Sequence, residues 1–124
     1  MTDCGHVMIL EDEPILGFAL EDMVLAIGAA EVTLLTRLDE AEAFLAQATP
    51  DLAILDVNIH GKLSYGIADR LLAAQVPYLF ATGYGDLTHP SDHAAMPTVT
   101  KPYSTRDIEQ AIESALKSAR LDRG

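Results

Sequence analysis

Short apolar runs and longer amphipathic stretches alternate along the chain. The clearest apolar run is Leu52–Leu55, which leads directly into Asp56. A run without polar alternation is typical of a strand that is buried on both faces, as in a parallel sheet. Such sheets carry their functional sites just beyond the carboxyl ends of the strands. The pattern therefore predicts that Asp56 emerges at the functional edge of the molecule.

Further short runs of apolar and β-branched residues predict other strands of the same sheet, at residues 7–10, 32–35, 78–82 and 98–100. Stretches with helical spacing separate these runs, and strands that alternate with helices are typical of a doubly wound parallel α/β domain. We expect a five-stranded parallel sheet with helices on both faces. This domain is predicted at residues 6–121, with short tails at 1–5 and 122–124.

The first predicted helix begins at Pro14, because proline is tolerated in the first turn of a helix, and it ends at Gly28. Its predicted buried face consists of residues at helical spacing, namely Leu16, Leu20, Met23 and Ile27. By contrast, residues 83–96 contain two glycines, a proline and no sustained helical period. We therefore expect little intrinsic helicity in that segment.

Polar residues at helix starts mark the three later helices. Asp39 and Glu42 predict a capping box at the start of the second helix. Ser64 and Ser104 are the predicted N-caps of the third and last helices. The predicted buried faces are Ala41, Phe44, Leu45 and Ala48 in the second helix, Ala68, Leu71 and Leu72 in the third, and Ile108, Ala111, Ile112, Ala115, Leu116 and Ala119 in the last.

The amino-acid composition disfavours some classes of binding partner. The 124 residues include 19 acids and 8 bases, which gives a formal net charge of −11. Such a charge repels nucleic acids and anionic membrane surfaces. The chain has no apolar stretch of the roughly 20 residues that a membrane span needs, and its start lacks the pattern of a signal peptide. Because Cys4 is the only cysteine, we expect a cytoplasmic domain without internal disulfides.

The ends of the predicted strands carry residues that can act together. Glu11 and Asp12 follow the first strand, Asp56 follows the third, Thr82 ends the fourth, and Lys101 follows the last. Carboxylates brought together without a cation repel one another and take up protons. Oxygen ligands that retain waters suit Mg²⁺, so these acids predict a magnesium site.

The same residues predict phosphoryl chemistry. Asn58 could offer its backbone carbonyl to the metal, because it lies two residues after Asp56. Lys101 provides a mobile positive charge for a phosphoryl oxygen, and Thr82 provides a hydroxyl donor. The combination predicts that Asp56 is the nucleophile and forms an aspartyl phosphate.

The sequence resembles the receiver domains of response regulators over about residues 6–121. The motifs that match are Glu-Asp-Glu-Pro at 11–14, Leu-Asp-Val-Asn at 55–58, Ala-Thr-Gly at 81–83 and Lys-Pro at 101–102. The resemblance implies a flavodoxin-like sheet of order 2-1-3-4-5. It also implies that Asp56 accepts a phosphoryl group, with Mg²⁺, from a histidine kinase or a phosphotransfer protein. The Lys101–Pro102 peptide bond is expected to be cis.

A narrower resemblance lies at residues 77–84, with the sequence Pro-Tyr-Leu-Phe-Ala-Thr-Gly-Tyr. It is similar to the signature of the FATGUY receivers, although Tyr78 replaces the first phenylalanine. This resemblance implies an HWE-type histidine kinase as the phosphoryl donor.

Two positions depart from the usual receiver pattern. Glu11 replaces the first aspartate of the acidic pair, and Thr98 replaces an aromatic residue whose rotation reports the position of the conserved hydroxyl in most receivers. Tyr84 and Tyr103 are candidate substitutes for that aromatic residue. We expect phosphorylation to draw Thr82 toward the phosphoryl group and to reorganise the segment that starts at Gly83 and extends to residue 96.

The leading functional hypothesis is a single-domain response regulator that controls partner binding and is not a turnover enzyme, as a monomer or weak dimer. A phosphate shuttle or sink in a phosphorelay is the alternative, since it needs the same pocket. A Mg²⁺-dependent phosphatase is disfavoured, because it needs a general acid where Asn58 stands. The histidines His60, His89 and His93 are expected at the surface.

Overall fold

The computed structural model describes residues 3–83 and 89–122, and it describes the side chains as far as residue 118. The strands are β1 (Gly5–Leu10), β2 (Ala29–Leu35), β3 (Leu52–Leu55), β4 (Asn58–Ile59), β5 (Lys62–Leu63), β6 (Tyr78–Thr82) and β7 (Thr98–Thr100). The helices are α1 (Pro14–Ile27), α2 (Leu38–Leu45), α3 (Tyr65–Ala73) and α4 (Thr105–Asp122).

One sheet of five parallel strands organises the molecule, in the order β2-β1-β3-β6-β7. This order confirms the prediction of a flavodoxin-like sheet, since the remaining strands β4 and β5 form a separate antiparallel hairpin. Strand β1 begins at Gly5 and α4 extends to Asp122, so the regular elements reach one residue beyond residues 6–121 at each end. None of the described helices is both long and apolar enough to cross a bilayer.

Both faces of the sheet are covered, which explains the uninterrupted apolar runs. In β1, Val7 and Ile9 pack with α1 and α4, whereas Met8 and Leu10 pack on the opposite face with α2 and α3. Successive side chains of a strand point to opposite faces, so every position of a central strand must be apolar when both faces are buried. The edge strand β2 is less buried than β1 and β3.

Helix α1 buries a slightly different face from the predicted one. Its buried residues are Gly17, Leu20, Val24 and Ile27, while Leu16 and Met23 are only half-buried. Gly17 permits this orientation, because the Leu34 side chain lies 3.0 Å from the place that a Cβ atom would occupy. The close approach of α1 to β2 therefore depends on a glycine rather than on a large apolar residue.

The predicted capping box of α2 is wrong. The N-cap position is Arg37, and Asp39 lies inside the first turn, where its carboxylate accepts two hydrogen bonds from the Arg37 guanidinium at 3.0 and 3.1 Å. The carboxylate of Glu40 reaches back instead, and it accepts the backbone N–H of Thr36 at 3.0 Å. Because the helix ends at Leu45, Ala48 lies outside it.

The starts of α3 and α4 agree better with the sequence. Ser104 and Asp107 form a reciprocal capping box: the Asp107 N–H donates to Ser104 Oγ at 3.1 Å, and the Ser104 N–H donates to the Asp107 carboxylate at 2.9 Å. Ser64 occupies the N-cap of α3, but its hydroxyl makes no cap hydrogen bond. Leu72 was expected to be buried in α3 and is exposed, whereas Ile67 is buried.

The hairpin of β4 and β5 was not predicted as a pair of strands. His60 and Gly61, at its turn, both have positive φ angles of 51° and 82°. This backbone conformation matches the right-handed twist of a two-residue hairpin. The Gly61 N–H also donates to the side-chain oxygen of Asn58 at 2.8 Å.

Candidate functional site

The sheet brings the predicted site residues to one edge. Leu10 pairs with Leu55 in the register of β1 and β3, so Glu11 and Asp56 emerge side by side one residue later. On the other side, Thr82 pairs with Thr100, and the Lys101 N–H donates to the Thr82 carbonyl at 2.8 Å. The Lys101–Pro102 peptide bond is cis, as expected from the resemblance.

Lys101 joins two acids that are almost completely buried. Its Nζ atom lies 2.8 Å from Glu11 Oε1 and donates to Asp56 Oδ2 at 2.9 Å. The exposed fractions of Glu11 and Asp56 are only 2% and 7%. Asp12 lies nearer the solvent, and its carboxylate accepts the backbone N–H of His60 at 2.9 Å. We call Glu11, Asp12, Asp56 and Lys101 the acidic pocket.

Burial and the ammonium group set the protonation of this pocket. Burial raises the pKa of Glu11 to about 7, although the hydrogen bond from Lys101 acts in the opposite direction. Burial alone would lower the pKa of Lys101, but its hydrogen bonds with Glu11 and Asp56 outweigh that effect and raise it above its ordinary value. Lys101 is therefore a permanent cation that only partly offsets the three surrounding acids.

The chemistry of the donor set fits a hard divalent cation. Glu11, Asp12 and Asp56 each offer a carboxylate oxygen, and these atoms all lie within 4.8 Å of one another. Oxygen-only donors at a site partly open to solvent suit Mg²⁺, which keeps several of its waters. These acids could hold such an ion, and the proposed contribution of the Asn58 carbonyl stays a prediction.

Ser64 is a supporting residue that the sequence predicted only as a helix cap. Its completely buried hydroxyl donates to the backbone carbonyl of Asp56 at 2.7 Å, and its N–H donates to the Val57 carbonyl at 2.9 Å. Ser64 thus ties the start of α3 to the backbone of the central acid. The sequence shows a serine eight residues after Asp56, but its hydrogen bond to the Asp56 carbonyl could be inferred only once the fold of the intervening hairpin was known.

The candidate switch residues lie in different environments. Thr82 is completely buried at the end of β6, while Gly83 is exposed. Tyr84 lies outside the described residues. Tyr103 is half-buried, and its hydroxyl oxygen is buried without a hydrogen-bond partner among the described residues. Burial raises the pKa of Tyr103. A switching role for these residues stays a prediction.

The expectation of surface histidines is correct for His60 and wrong for His93. His60 is exposed, His89 is half-buried and His93 is only 1% exposed. The described part of the segment, residues 89–96, contains a 3₁₀ turn at Ser91–His93 and no α-helix, as its composition predicted. The imidazoles of His89 and His93 are both hydrogen-bonded to polar side chains of neighbouring elements, which explains why neither ring lies free at the surface.

These partners form a second polar cluster beside β6 and β7. His93 Nε2 lies 2.7 Å from a carboxylate oxygen of Asp69, and His93 Nδ1 shares a short hydrogen bond with the Tyr78 hydroxyl. Burial, with Asp69 and Asp92 nearby, raises the pKa of Tyr78 to about 12, so its hydroxyl keeps its proton. The histidine cluster comprises Tyr65, Asp69, Tyr78, His89, His93 and Thr98.

Similar proteins of known structure share this fold. SdrG from Sphingomonas melonis Fr1 is 31% identical, with a TM-score of 0.81, over 94% of this chain and 99% of that one. The response regulator PhyR from Brucella abortus is 25% identical, with a TM-score of 0.79, over 95% of this chain and 50% of PhyR. The chain thus spans about half of PhyR.

A CheY-like receiver domain protein from Methanospirillum hungatei JF-1 supports the fold alone. It is 18% identical, with a TM-score of 0.82, over 97% of this chain and 99% of that one. No protein-family model and no curated protein sequence matches the chain.

Proposed function

This chain belongs to the response-regulator receiver domains, and on that premise we propose that Asp56 is its phosphoryl acceptor. The observation that carries the proposal is the position of Asp56 in the acidic pocket, with its Oδ2 atom 2.9 Å from Lys101 Nζ and two further carboxylates nearby. A nucleophilic carboxylate, a cation and potential metal ligands are the groups that phosphoryl transfer requires.

In the proposed reaction, the Asp56 carboxylate attacks the phosphorus atom of a phosphohistidine. A phosphorus–oxygen bond forms as the phosphorus–nitrogen bond breaks, and the departing imidazole keeps the electron pair and takes up a proton. Lys101 binds the oxygens of the transferred group, and the Thr82 hydroxyl donates to one of them. When held by Glu11, Asp12 and Asp56, with the Asn58 carbonyl as a further ligand, Mg²⁺ supplies positive charge that offsets the negative charge of the phosphoryl group.

We propose that the phosphorylated form controls the binding of another protein. The alternative is a shuttle or sink that passes the group onward. A partner that binds only the phosphorylated form supports the switch, whereas rapid transfer back to a histidine phosphotransfer protein supports the shuttle. The signature at residues 77–84 makes the FATGUY subgroup, with an HWE-type histidine kinase as donor, part of this proposal.

The chain is proposed to be a phosphoacceptor rather than a phosphatase with turnover. An aspartyl phosphatase needs a general acid near the nucleophile, and the residue two positions after Asp56 is Asn58. An amide cannot deliver a proton to a leaving group. The side-chain oxygen of Asn58 also accepts the Gly61 N–H at 2.8 Å, which keeps this amide in the hairpin.

The proposal is tested by reaction with acetyl phosphate in Mg²⁺ or in EDTA, followed by intact-protein mass measurement. We expect a single phosphoryl group in Mg²⁺ and none in EDTA. The Asp56→Asn variant is expected to remain unlabelled, while the exposed Asp22→Asn variant is labelled as the parent is. Full labelling of Asp56→Asn contradicts the proposal, as does efficient turnover of a simple phosphomonoester by the parent.

A further inference from the structure

The histidine cluster contains a ring that is placed to sense movement of β6. We infer that His89 transmits such a movement to β7 and α3, and that His93 is the fixed anchor of the same segment. This inference rests on the proposed function, because phosphorylation at Asp56 supplies the movement through Thr82. It assigns to His89 the part that an aromatic residue at position 98 plays in most receivers.

His89 contacts three elements at once. Its ring stacks on that of Phe80, with centroids 4.2 Å apart and planes inclined by 27°. Its Nε2 atom shares a hydrogen bond with Thr98 Oγ1 at 2.8 Å, and its Nδ1 atom shares one with the Tyr65 hydroxyl at 2.7 Å. The imidazole therefore bridges β7 and α3 while it lies flat on a side chain of β6.

Phe80 connects this ring to the acidic pocket. It lies two residues before Thr82 on β6, and both residues are completely buried. Side chains two residues apart in a strand lie on the same face, so a displacement of Thr82 is carried by a rigid backbone to the ring of Phe80. His89 follows that ring, because the stacked pair shares a large contact area.

His93 is held differently. It is 1% exposed, and its Nε2 atom lies 2.7 Å from the Asp69 carboxylate, which accepts the hydrogen bond. Its ring also stacks on Tyr65, with centroids 5.9 Å apart and planes inclined by 15°. A hydrogen bond to a charged group is stronger than one between neutral groups, and any displacement would leave a buried imidazole unpaired. His93 should therefore stay in place while its neighbour moves.

His89 has weaker restraints, which suit a moving part. Both of its hydrogen-bond partners are neutral hydroxyl groups that rotate to follow a donor or an acceptor. Burial and the neighbouring His93 lower the pKa of His89, so the ring stays uncharged near neutral pH. An uncharged, half-buried ring can leave its site at a smaller cost than a fully buried one. Because position 98 of β7 is a threonine and carries no ring, the ring beside this strand is supplied by His89, which is hydrogen-bonded to Thr98.

The test is the long-range ¹⁵N–¹H spectrum of the imidazoles before and after reaction with acetyl phosphate and Mg²⁺. We expect the ring signals of His89 to shift on phosphorylation and those of His93 to stay unchanged. His6 is the internal control, because it makes a similar hydrogen bond to Thr33 Oγ1 at 2.7 Å and a ring contact with Phe44 at 5.6 Å, at the opposite ends of the strands. Its signals should also stay unchanged.

A variant adds a second, independent readout. In unphosphorylated His89→Ala, we expect amide exchange at residues 98–100 of β7 to be about fivefold faster, which corresponds to the loss of the one hydrogen bond between His89 and Thr98. Phosphorylation should then cause little additional change there, whereas it should speed exchange in the parent. His6→Ala is the matched control, and its effect should be confined to β1, β2 and α2, which the His6 ring contacts.

The outcomes separate the two proposals. If mass measurement shows full phosphorylation of Asp56 while the His89 signals and the exchange at residues 98–100 stay unchanged, the inference about His89 is overturned and the proposed function stands. If His93 shifts as strongly as His89, the assignment of anchor and moving ring is overturned. If Asp56 takes no phosphoryl group, both proposals fail together.

Discussion

The acidic pocket lies at the carboxyl ends of the strands, whereas the histidine cluster lies beside β6 and β7, and the two groups of polar side chains balance charge differently. In the pocket, three carboxyl groups lie close together, and the Lys101 ammonium group contacts two of them, Glu11 and Asp56. In the cluster, both ring nitrogens of His89 and of His93 have a hydrogen-bond partner. The pocket could therefore hold a further cation, whereas the ring nitrogens of the cluster already have partners. The pocket is therefore expected to respond to charge, whereas in the cluster the buried His93 holds its position beside the more weakly held His89.

Removal of the ammonium group should have the largest effect on stability. We expect Lys101→Met to lower the free energy of unfolding by about 4 kcal/mol in metal-free buffer, since Glu11 and Asp56 lose the one cation that contacts them among the described residues. Urea denaturation in EDTA measures the change. Mg²⁺ should restore part of the loss, and the exposed Lys117→Met variant should stay close to the parent. An equal loss with and without Mg²⁺ contradicts this view of the pocket.

Truncation of the anchor in the histidine cluster should cost somewhat less. We expect His93→Ala to lower the free energy of unfolding by about 3 kcal/mol. The variant leaves a cavity and removes the buried imidazole that is hydrogen-bonded to both Asp69 and Tyr78. Thermal or urea denaturation measures it. His60→Asn is the control, since His60 is exposed and asparagine tolerates its positive φ angle. A change below about 0.5 kcal/mol for His93→Ala would show that the cluster does not hold the fold.

Addition of Mg²⁺ separates the two regions directly. At about a hundredfold its dissociation constant, an ion that binds only the folded protein raises the free energy of unfolding by about 2.7 kcal/mol. We expect this gain in the parent and in His93→Ala, and a clearly smaller gain at the same Mg²⁺ concentration in Asp12→Asn. Denaturation with and without Mg²⁺ measures all three. A gain that disappears in His93→Ala instead would place the ion in the wrong region.

The smallest predicted effect concerns the support of the central acid. Ser64→Ala removes the hydrogen bond to the Asp56 carbonyl, and we expect a loss of about 1 kcal/mol in the free energy of unfolding. The exposed Ser114→Ala variant on α4 should not lose stability. Equal stability of both variants and the parent would indicate that the Asp56 backbone is held without Ser64.

The acidic pocket could be predicted from the sequence, because a parallel sheet brings the ends of its strands together whatever the loops do. Asp56 and Lys101 lie 45 positions apart, yet each directly follows a strand that the sequence predicted. No comparable rule predicts the contacts of the histidine cluster from the sequence. His89 and His93 each meet a residue of α3 that lies 24 positions earlier, and no strand end marks these contacts. Only the packing of residues 89–96 against α3 and β6 reveals them.

Helix starts illustrate the same limit on a smaller scale. Ser104 predicted the start of α4 correctly, and Asp107 completes its capping box in the structure, but the predicted box of Asp39 and Glu42 failed in α2. There, the neighbouring Arg37 captures the Asp39 carboxylate. A local motif names the residues that could cap a helix, and competing charged neighbours decide which one does.

The most direct test of the account locates the phosphoryl group itself. An acyl phosphate is reduced by borohydride to an alcohol, so a phosphorylated aspartate becomes homoserine. After reaction with acetyl phosphate and Mg²⁺, followed by reduction and peptide mass mapping, we predict homoserine at position 56 and at no other aspartate. Homoserine at another position, or none at position 56 in a fully labelled sample, would contradict the assignment of Asp56 as the phosphoryl acceptor.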